Sequence, residues 1–414
     1  MSDSLNQYFW IIGGGILQLP VIQEAKNLNY KTIVTDGDMD CVCNNQADIF
    51  RCIDIFDIPA HIEYAKSLQY KNINIIGVLA AGIDAPETMS KIAEFLDLPS
   101  VSSQISHLVN NKDLFRNKMK EIGVPVPNYS IIDETNIKSI KGIIDIIGYP
   151  LIVKNTSSSG SRGTKIFYEN DDIGVLEMVN EAIKVSRSGK AMIESLWVGS
   201  EHTIETLFDI NGKFHKCFIT DRNFDKTNGY AIETGLVHPT RLPMNVQNQM
   251  YELAHDVAKN IGIDQGAAKF DMIMTMNGPR IIEMTVRLSG GFDCQYLVPA
   301  ATGKNIIKAA ILTAVGRTFN TNLLNDKKKR VSISESIWPS PGKITKINGI
   351  KKAKKQNGFE FIHCRYNIGN IVMPYTDCTK RVCFIIVSGE DLIDARKNMD
   401  SILALIEINT TKLN

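Results

Sequence analysis

The chain has 414 residues, of which 44% are hydrophobic and 22% charged, with a formal net charge of +1. That length exceeds one ordinary core and suits about two or three domains. The balanced charge gives no global pull toward nucleic acid or a membrane, and the one basic run, "NDKKKR" at 325–330, reads as a solvated linker.

Residues 8–105 alternate strand and helix signals. "YFWII" is a short apolar strand, and "LQLPVIQEAKNLN" has helical spacing, its proline tolerated in a first turn. The strands "KTIVTD" and "INIIGVLAA", with a further one inside "ADIFRCID", alternate with the helices "IPAHIEYAKSL" and "APETMSKIAEFLDL". This alternation predicts a doubly wound parallel sheet over residues 1–106. The "YFWIIGGGIL" stretch has no basic segment before it and three glycines within it, so it does not read as a secretion signal.

The pattern changes after residue 106. "NNKDLFRNKMKEIG" is an amphipathic helix, and the prolines of "VPVPNYSII" fix an extended entry. A helix over 136–147, the strand "PLIVKN", a loop of small residues, the strand "TKIFY", a helix over 171–187 and the strand "AMIESL" follow. Residues 200–318 are richer in strands ("EHTIETLFD", "KFHKCFIT", "AAKFDMIMTM", "RIIEMTVR"), with helices at 243–261 and 303–315. Residues 331–414 make a smaller α/β unit. The fold expected is α/β, in part α+β: an N-terminal domain over 1–106, a central domain over 107–318 with a subdomain at about 121–195, and a C-terminal domain over 319–414. Eight cysteines lack zinc-type pairing and no apolar run approaches the roughly 20 residues that span a bilayer. A cytoplasmic protein with free thiols is expected.

Four segments carry groups suited to one nucleotide site, and a glycine turn near the N-terminus partly matches a dinucleotide fingerprint. The "GGG" turn follows the first strand and opens a helix, with Asp36 ending the next strand. A dinucleotide fingerprint would place its third glycine where Gln18 stands. Amides at Gly14 and Gly15 can still meet an anionic group, and a plain turn remains the alternative. In "KNTSSSGSRGT", seven of the eight residues from Thr156 to Gly163 are Ser, Thr or Gly. Ser158, Ser159, Gly160, Ser161 and Gly163 can wrap phosphate oxygens closely, with Lys154 just before the run and Lys112 on the preceding helix as cations. Each alone also suits an ordinary surface. "MIESLWVGSEHTIET" ends a strand on Glu194, exposes backbone at Leu196, and offers a second carboxylate at Glu201, a pattern able to serve a purine edge and ribose hydroxyls.

"AAKFDMIMTMNGPRIIEMTVRLSGG" reads as a hairpin turned at "NGP". Asp271 and Glu283 lie equally far from Asn277, so the hairpin brings two carboxylates together. Within an apolar strand an acid needs a partner or a metal, and hard oxygen donors suit magnesium. Arg287 follows on the face of Glu283 and can hold a phosphoryl or carboxylate group, while Ser289, Gly290 and Gly291 let backbone approach a substrate. A structural acid pair with a bridging arginine is the alternative.

The order of Lys112, Lys154 with its loop, the Glu194/Glu201 pair and the Asp271/Glu283/Arg287 hairpin resembles the ATP-grasp superfamily. The resemblance is closest to the branch of biotin carboxylase, carbamoyl-phosphate synthetase, the purine-biosynthetic carboxylases and the L-amino-acid ligases. It covers nearly the whole chain, with 107–318 as the ATP-grasp domain and about 121–195 as its mobile lid. The resemblance implies that Lys112 and Lys154 contact ATP phosphates beneath the 156–163 loop, that Glu194 and the backbone near Leu196 hold adenine, and that Glu201 holds ribose. It implies Mg2+, with Mn2+ as an alternative, on Asp271 and Glu283, and Arg287 with Lys154 acting on the transferred phosphoryl group. Many members carry Asn where Thr285 stands, which leaves a second metal ion open. The implied reaction joins a small-molecule carboxylate to an amine through an acyl phosphate. "NGYAIETGLVHPTRLP" resembles the acceptor-pocket region of amino-acid ligases and offers Glu233 for an ammonium group and His238 for a carboxylate or a proton. Neither nucleic acid nor membrane is an expected partner, and a homodimer stays open. Bicarbonate activation, or ATP binding without turnover, are the alternatives.

Overall fold

The computed structural model describes residues 6–158 and 160–412. A four-stranded parallel sheet opens the chain, in the order Ile49–Cys52, Lys31–Asp36, Gln7–Ile12, Asn74–Ala80. Phe9, Trp10, Ile11 and Ile12 are consecutive and all fully buried. Phe9 and Ile11 enter one core, and Trp10 and Ile12 the other. Covering both faces is what turns a strand into a continuous apolar run.

An eight-stranded antiparallel sheet forms the centre. Its order is Gly278–Thr285, Gly266–Thr275, Ser200–Phe208, Phe214–Asp225, Ile232–His238, Val331–Ile337, Cys383–Gly389, Phe359–Cys364. The last three strands come from the C-terminal segment, so one sheet joins it to the central segment. A third sheet, Tyr129–Ile132, Ala191–Ser195, Leu151–Asn155, Lys165–Phe167, packs against the helices Ile140–Ile147 and Asp172–Val185 through Ile144, Val153, Val175, Val179 and Ile193. The Lys112–Glu121 helix stands between the third sheet and the central one, burying Phe115 and Met119 on the central core.

Two sequence expectations change here. The "AIETGLVH" stretch, not among the strands read from the sequence, is the central strand Ile232–His238. Its glycine disguises it. A Cβ at Gly235 would lie 2.2 Å from the Ser334 carbonyl of the neighbouring strand, so only glycine permits the pairing. The free-thiol expectation fails for Cys364 and Cys383, which form a disulfide. They stand directly opposite each other on the antiparallel Phe359–Cys364 and Cys383–Gly389 strands, a register that no reading of cysteine spacing supplies. The other six cysteines are free. No described helix is long and apolar enough to cross a membrane.

Candidate active site

The carboxylates of the hairpin are set by strand register. Asp271 pairs with Glu283, while Met272 pairs with Ile281, so Ile282 has no opposite residue and the hairpin bulges there. On its other side Asp271 pairs with Thr203, whose hydroxyl donates to Oδ1 at 3.2 Å. Thr203, Asp271 and Glu283 thus form one cross-strand row. Side-chain alternation adds Glu201 and Lys269 to the same face. Lys269 Nζ lies 2.5 Å from Asp271 Oδ2, and Arg222 bridges Asp271 Oδ1 at 3.1 Å and Glu233 Oε2 at 2.9 Å. Lys226 holds Glu201 at 2.6 Å.

The Lys112–Glu121 helix brings two cations from one face. Lys112 Nζ donates to the Ser158 carbonyl at 2.8 Å and lies 3.6 Å from Glu283 Oε2. Arg116, one turn on and nearly fully buried, donates to Glu194 at 2.5 Å and to the bulge carbonyls of Ile281 at 3.3 Å and Ile282 at 2.7 Å. Lys154 takes the other oxygen of Glu194. Burial would push the Glu194 carboxyl up, but Arg116 and Lys154 outweigh it and hold the group down to about 2. Burial likewise pushes Glu283 up, and Lys112 and Lys269 more than reverse it, so this carboxyl lies far below the ordinary range.

The loop after the Leu151–Asn155 strand is pinned at its base. Asn155 Nδ2 donates to the Arg162 carbonyl at 2.6 Å, and its Oδ1 accepts the Ser158 amide. Gly160 and Gly163 lie at φ +67 and +58, and a Cβ at Gly163 would meet Val185 Cγ2 at 2.6 Å. The Cys378 amide of the C-terminal segment donates to the Gly160 carbonyl at 3.1 Å. Ser159 lies outside the described residues.

These groups line one cavity of about 940 Å³. Of the sequence-expected residues it brings together Gly15, Lys112, Lys154, Ser158, Gly160, Ser161, Glu194, Leu196, Glu201, Glu233, Asp271, Glu283, Arg287, Gly290 and Gly291. Arg287 donates to Asp84 Oδ1 at 3.2 Å. Four do not line it. The Gly14 amide is turned to Asp36 Oδ2 at 2.6 Å, and a Cβ there would strike Cys41. Gly163 backs onto the Asp172–Val185 helix. The Ser289 amide is turned to Glu205 at 2.9 Å. His238 is buried beside Phe218 with Nδ1 on the Ile219 carbonyl at 3.1 Å, and burial pulls its pKa down to about 4. Two expected contacts are already used within the protein. The Leu196 amide donates to the Pro150 carbonyl at 3.0 Å, and Glu233 has Arg222 and, at 3.6 Å, Arg381.

Several cavity residues escaped the sequence reading: Arg116, Arg222, Lys269 and Arg381. Arg116 was within reach, because it stands four residues beyond Lys112 and so shares its helix face. The other three needed the sheet order.

Asp271 and Glu283 are the only donor pair of hard oxygens that this row supplies, and no group of three or more His, Cys, Asp or Glu side chains able to hold a metal occurs among the described residues. The donor chemistry fits magnesium with most of its shell from water or phosphate, the ion taking the place that Lys269 or Arg222 holds on Asp271 and Lys112 beside Glu283.

Taken together, a central antiparallel sheet, a small second sheet facing it, and a cavity between them lined by lysines and a carboxylate row have the ATP-grasp arrangement. Residues 111–322 match the carbamoyl-phosphate synthase L chain ATP-binding domain, and residues 337–411 match the L-amino acid ligase C-terminal domain 2. The chain belongs to the family of the carbamoyl-phosphate synthase L chain ATP-binding domain. An uncharacterized protein of Sinorhizobium fredii, y4rH, is 24% identical over 92% of this chain and 77% of its own length. The carbamoyl phosphate synthase large chain of Archaeoglobus fulgidus is 27% identical over 54% of this chain, but the match spans only 20% of that protein. The L-amino acid ligase of Bacillus licheniformis shares the fold across 99% of this chain and 100% of its own, with a TM-score of 0.85 at 18% identity.

Proposed function

We propose that this protein is an ATP- and magnesium-dependent carboxylate–amine ligase that works through an acyl phosphate. The observation that carries the reading is the cross-strand pair Asp271–Glu283, set in one cavity with Lys112, Lys154 and Arg287. In the first step a substrate carboxylate oxygen attacks the γ-phosphorus, the bond to the bridging oxygen breaks, and ADP leaves. In the second an amine attacks the acyl carbon, phosphate leaves, and the nitrogen gives up a proton.

Such chemistry asks the protein mainly to position groups and offset charge. Lys112 and Lys154 line the cavity and would meet nucleotide phosphates there, and Arg287, on the same cavity, would act on the transferring group. Asp271 and Glu283 would hold the magnesium ion, which neutralises phosphate charge when bound. Glu201 would serve a ribose, and Leu196 and Trp197 an adenine, all three lining the cavity. Glu194 supports the lysine and arginine beside it more than the base itself, since both its oxygens are engaged. The acyl phosphate must be shielded from water, and the loop's contact with Cys378 supports closure over the cavity.

The match of residues 337–411 to an L-amino acid ligase domain favours small amino-acid-like substrates. The test is ADP release against a panel of paired carboxylic acids and amines, with mass spectrometry of products and hydroxylamine to trap the acyl phosphate. A hydroxamate that needs ATP, magnesium and one acid supports the reading. Phosphate release driven by bicarbonate would replace it with a carboxylase. Tight ATP binding with no ADP release across the panel would replace it with a nucleotide-binding role.

A further inference from the structure

The segment from Thr285 to Gln295 concentrates unsatisfied groups. Among the described residues, buried side-chain atoms without a hydrogen-bond partner include Thr285 Oγ1, Arg287 Nε, Ser289 Oγ, Asp293 Oδ1 and Gln295 Oε1, all within this stretch. Native proteins leave few such atoms, and each asks for an explanation, an ordered water or a bound ligand among them.

Asp293 is the telling one. It is 3% exposed, and it lines the cavity. Glu194, Glu233 and Asp271 are the other deeply buried carboxylates on the cavity wall, and each holds two cations of the protein. Asp293 forms no ion pair among the described residues, and its Oδ1 meets no donor. An isolated carboxylate in such a place is costly, and a cation that pairs with it offsets the cost. Burial first, then the nearby charges of Glu233 and Glu205, push its pKa well above the ordinary value, while Lys269 and Arg222 oppose them weakly.

Its surroundings describe what the cation is attached to. Asp293 begins the short helical turn Asp293–Leu297, directly after Gly290, Gly291 and Phe292. Phe292 sits at φ 65, a left-handed conformation that a bulky side chain rarely adopts. That geometry sets its ring 4.9 Å from Phe384 and 4.8 Å from Phe361. Leu236, Phe292 and Phe384 line the same cavity, forming an apolar wall beside the acid. Gly291 keeps the approach open, because a Cβ there would lie 3.4 Å from Leu236 and 3.9 Å from Asp293 Oδ2.

We propose that Asp293 is the receptor for an ammonium group on the acid substrate, and that Leu236, Phe292 and Phe384 receive that substrate's apolar side chain. The substrate is then a zwitterion whose carboxylate lies toward Arg287 and whose ammonium meets the unpartnered Oδ1 of Asp293. The proposal names the acid substrate of the ligase reading and rests on it.

The experiment compares L-leucine and L-phenylalanine with 4-methylpentanoate and 3-phenylpropanoate, the same acids without the amino group. ADP release is followed with ATP, magnesium and hydroxylamine, and binding by calorimetry in the presence of MgADP. The wild type should favour the amino acids at least tenfold in kcat/KM. Asp293→Asn should erase that preference, raising KM for the amino acids at least tenfold more than for the des-amino acids. A wild type that treats both classes alike overturns the proposal, and ADP release with both would leave the ligase reading standing. A variant that keeps the preference, or that lowers kcat equally for both classes, overturns it too. If no acid drives ADP release yet L-leucine binds in an Asp293-dependent way, the receptor stands and the ligase reading falls. Should Asp293→Asn not fold, calorimetry of the wild type with MgADP decides: L-leucine binding at least tenfold tighter than 4-methylpentanoate supports the proposal, and equal affinity overturns it.

Discussion

Glu194→Gln is the sharpest test of how this cavity is held together. The side chain is 2% exposed and accepts from both Arg116 and Lys154. Glutamine keeps the shape but leaves two buried cations without their counter-charge. The size of the loss follows from the carboxyl itself. Holding it at about 2 rather than 4.5 is worth about 3 kcal/mol to the folded state. Breaking one side of a buried ion pair costs ~3–5 kcal/mol in general, which agrees in scale. The folded pKa lies below the unfolded one, so the contribution is whole above pH 4.5 and falls away as the pH drops toward 2.

Thermal melting and urea unfolding, the latter followed at Trp197 whose ring lies 5.9 Å from the Arg116 guanidinium, should therefore show the variant well below the wild type at pH 7. The gap should narrow as the pH falls, with about 2 kcal/mol of it gone by pH ~3. Arg116→Lys should lose less, because it keeps the charge and surrenders only the fork of hydrogen bonds to Glu194, Ile281 and Ile282. A Glu194→Gln protein that melts with the wild type at pH 7, or a gap that stays constant down to pH ~3, would refute an ionised, charge-paired Glu194.

Other outcomes follow from the same geometry. Glu283→Gln should cut turnover by ~10²-fold or more with a far smaller loss of ATP affinity, and steady-state kinetics against magnesium concentration will show it, because metal stabilisation is worth several kcal/mol chiefly during transfer. Lys154→Met should both weaken phosphoryl transfer and lower the melting temperature, since the lysine is buried and paired, so unchanged turnover in a stable variant counts against its assignment. Hydrogen exchange at residues 160–163 should slow when MgADP or a non-hydrolysable ATP analogue binds, and equal exchange would argue against a closing loop. Alkylation of the denatured, unreduced protein should modify six cysteines and spare Cys364 and Cys383, and reduction should cost about 3 kcal/mol for a loop of 19 residues.

What the sequence disclosed depended on whether local pattern or long-range register carried the information. The parallel sheet was legible because both faces of "YFWII" are buried, which shows as an unbroken apolar run. The Asp271–Glu283 pair was legible because a hairpin converts counting from its turn into a register. Even there the bulge at Ile282 was hidden, and it is the bulge that frees the carbonyls Arg116 takes. The Ile232–His238 strand was obscured by Gly235, which serves a close approach between strands rather than a turn. The Cys364–Cys383 disulfide depends on a pairing between strands whose sequence gives no turn to count from.

The same distinction explains why the candidate site was found as a set of residues but not as an electrostatic system. Sequence motifs nominated acids and bases one at a time, as though each waited for a ligand. The folded chain instead interleaves them: Glu194 between Arg116 and Lys154, Arg222 between Asp271 and Glu233, and Lys112 between Ser158 and Glu283. A ligand entering this cavity exchanges ion pairs and does not simply add them. A nucleotide phosphate that attracts Lys112 draws it from Glu283, and that leaves the carboxylate more available to a cation of its own. Phosphate and divalent ion should thus bind with positive coupling, since each relieves the charge the other exposes. Isolated acids such as Asp293 stand outside this exchange, and the contrast with their paired neighbours is what makes them informative.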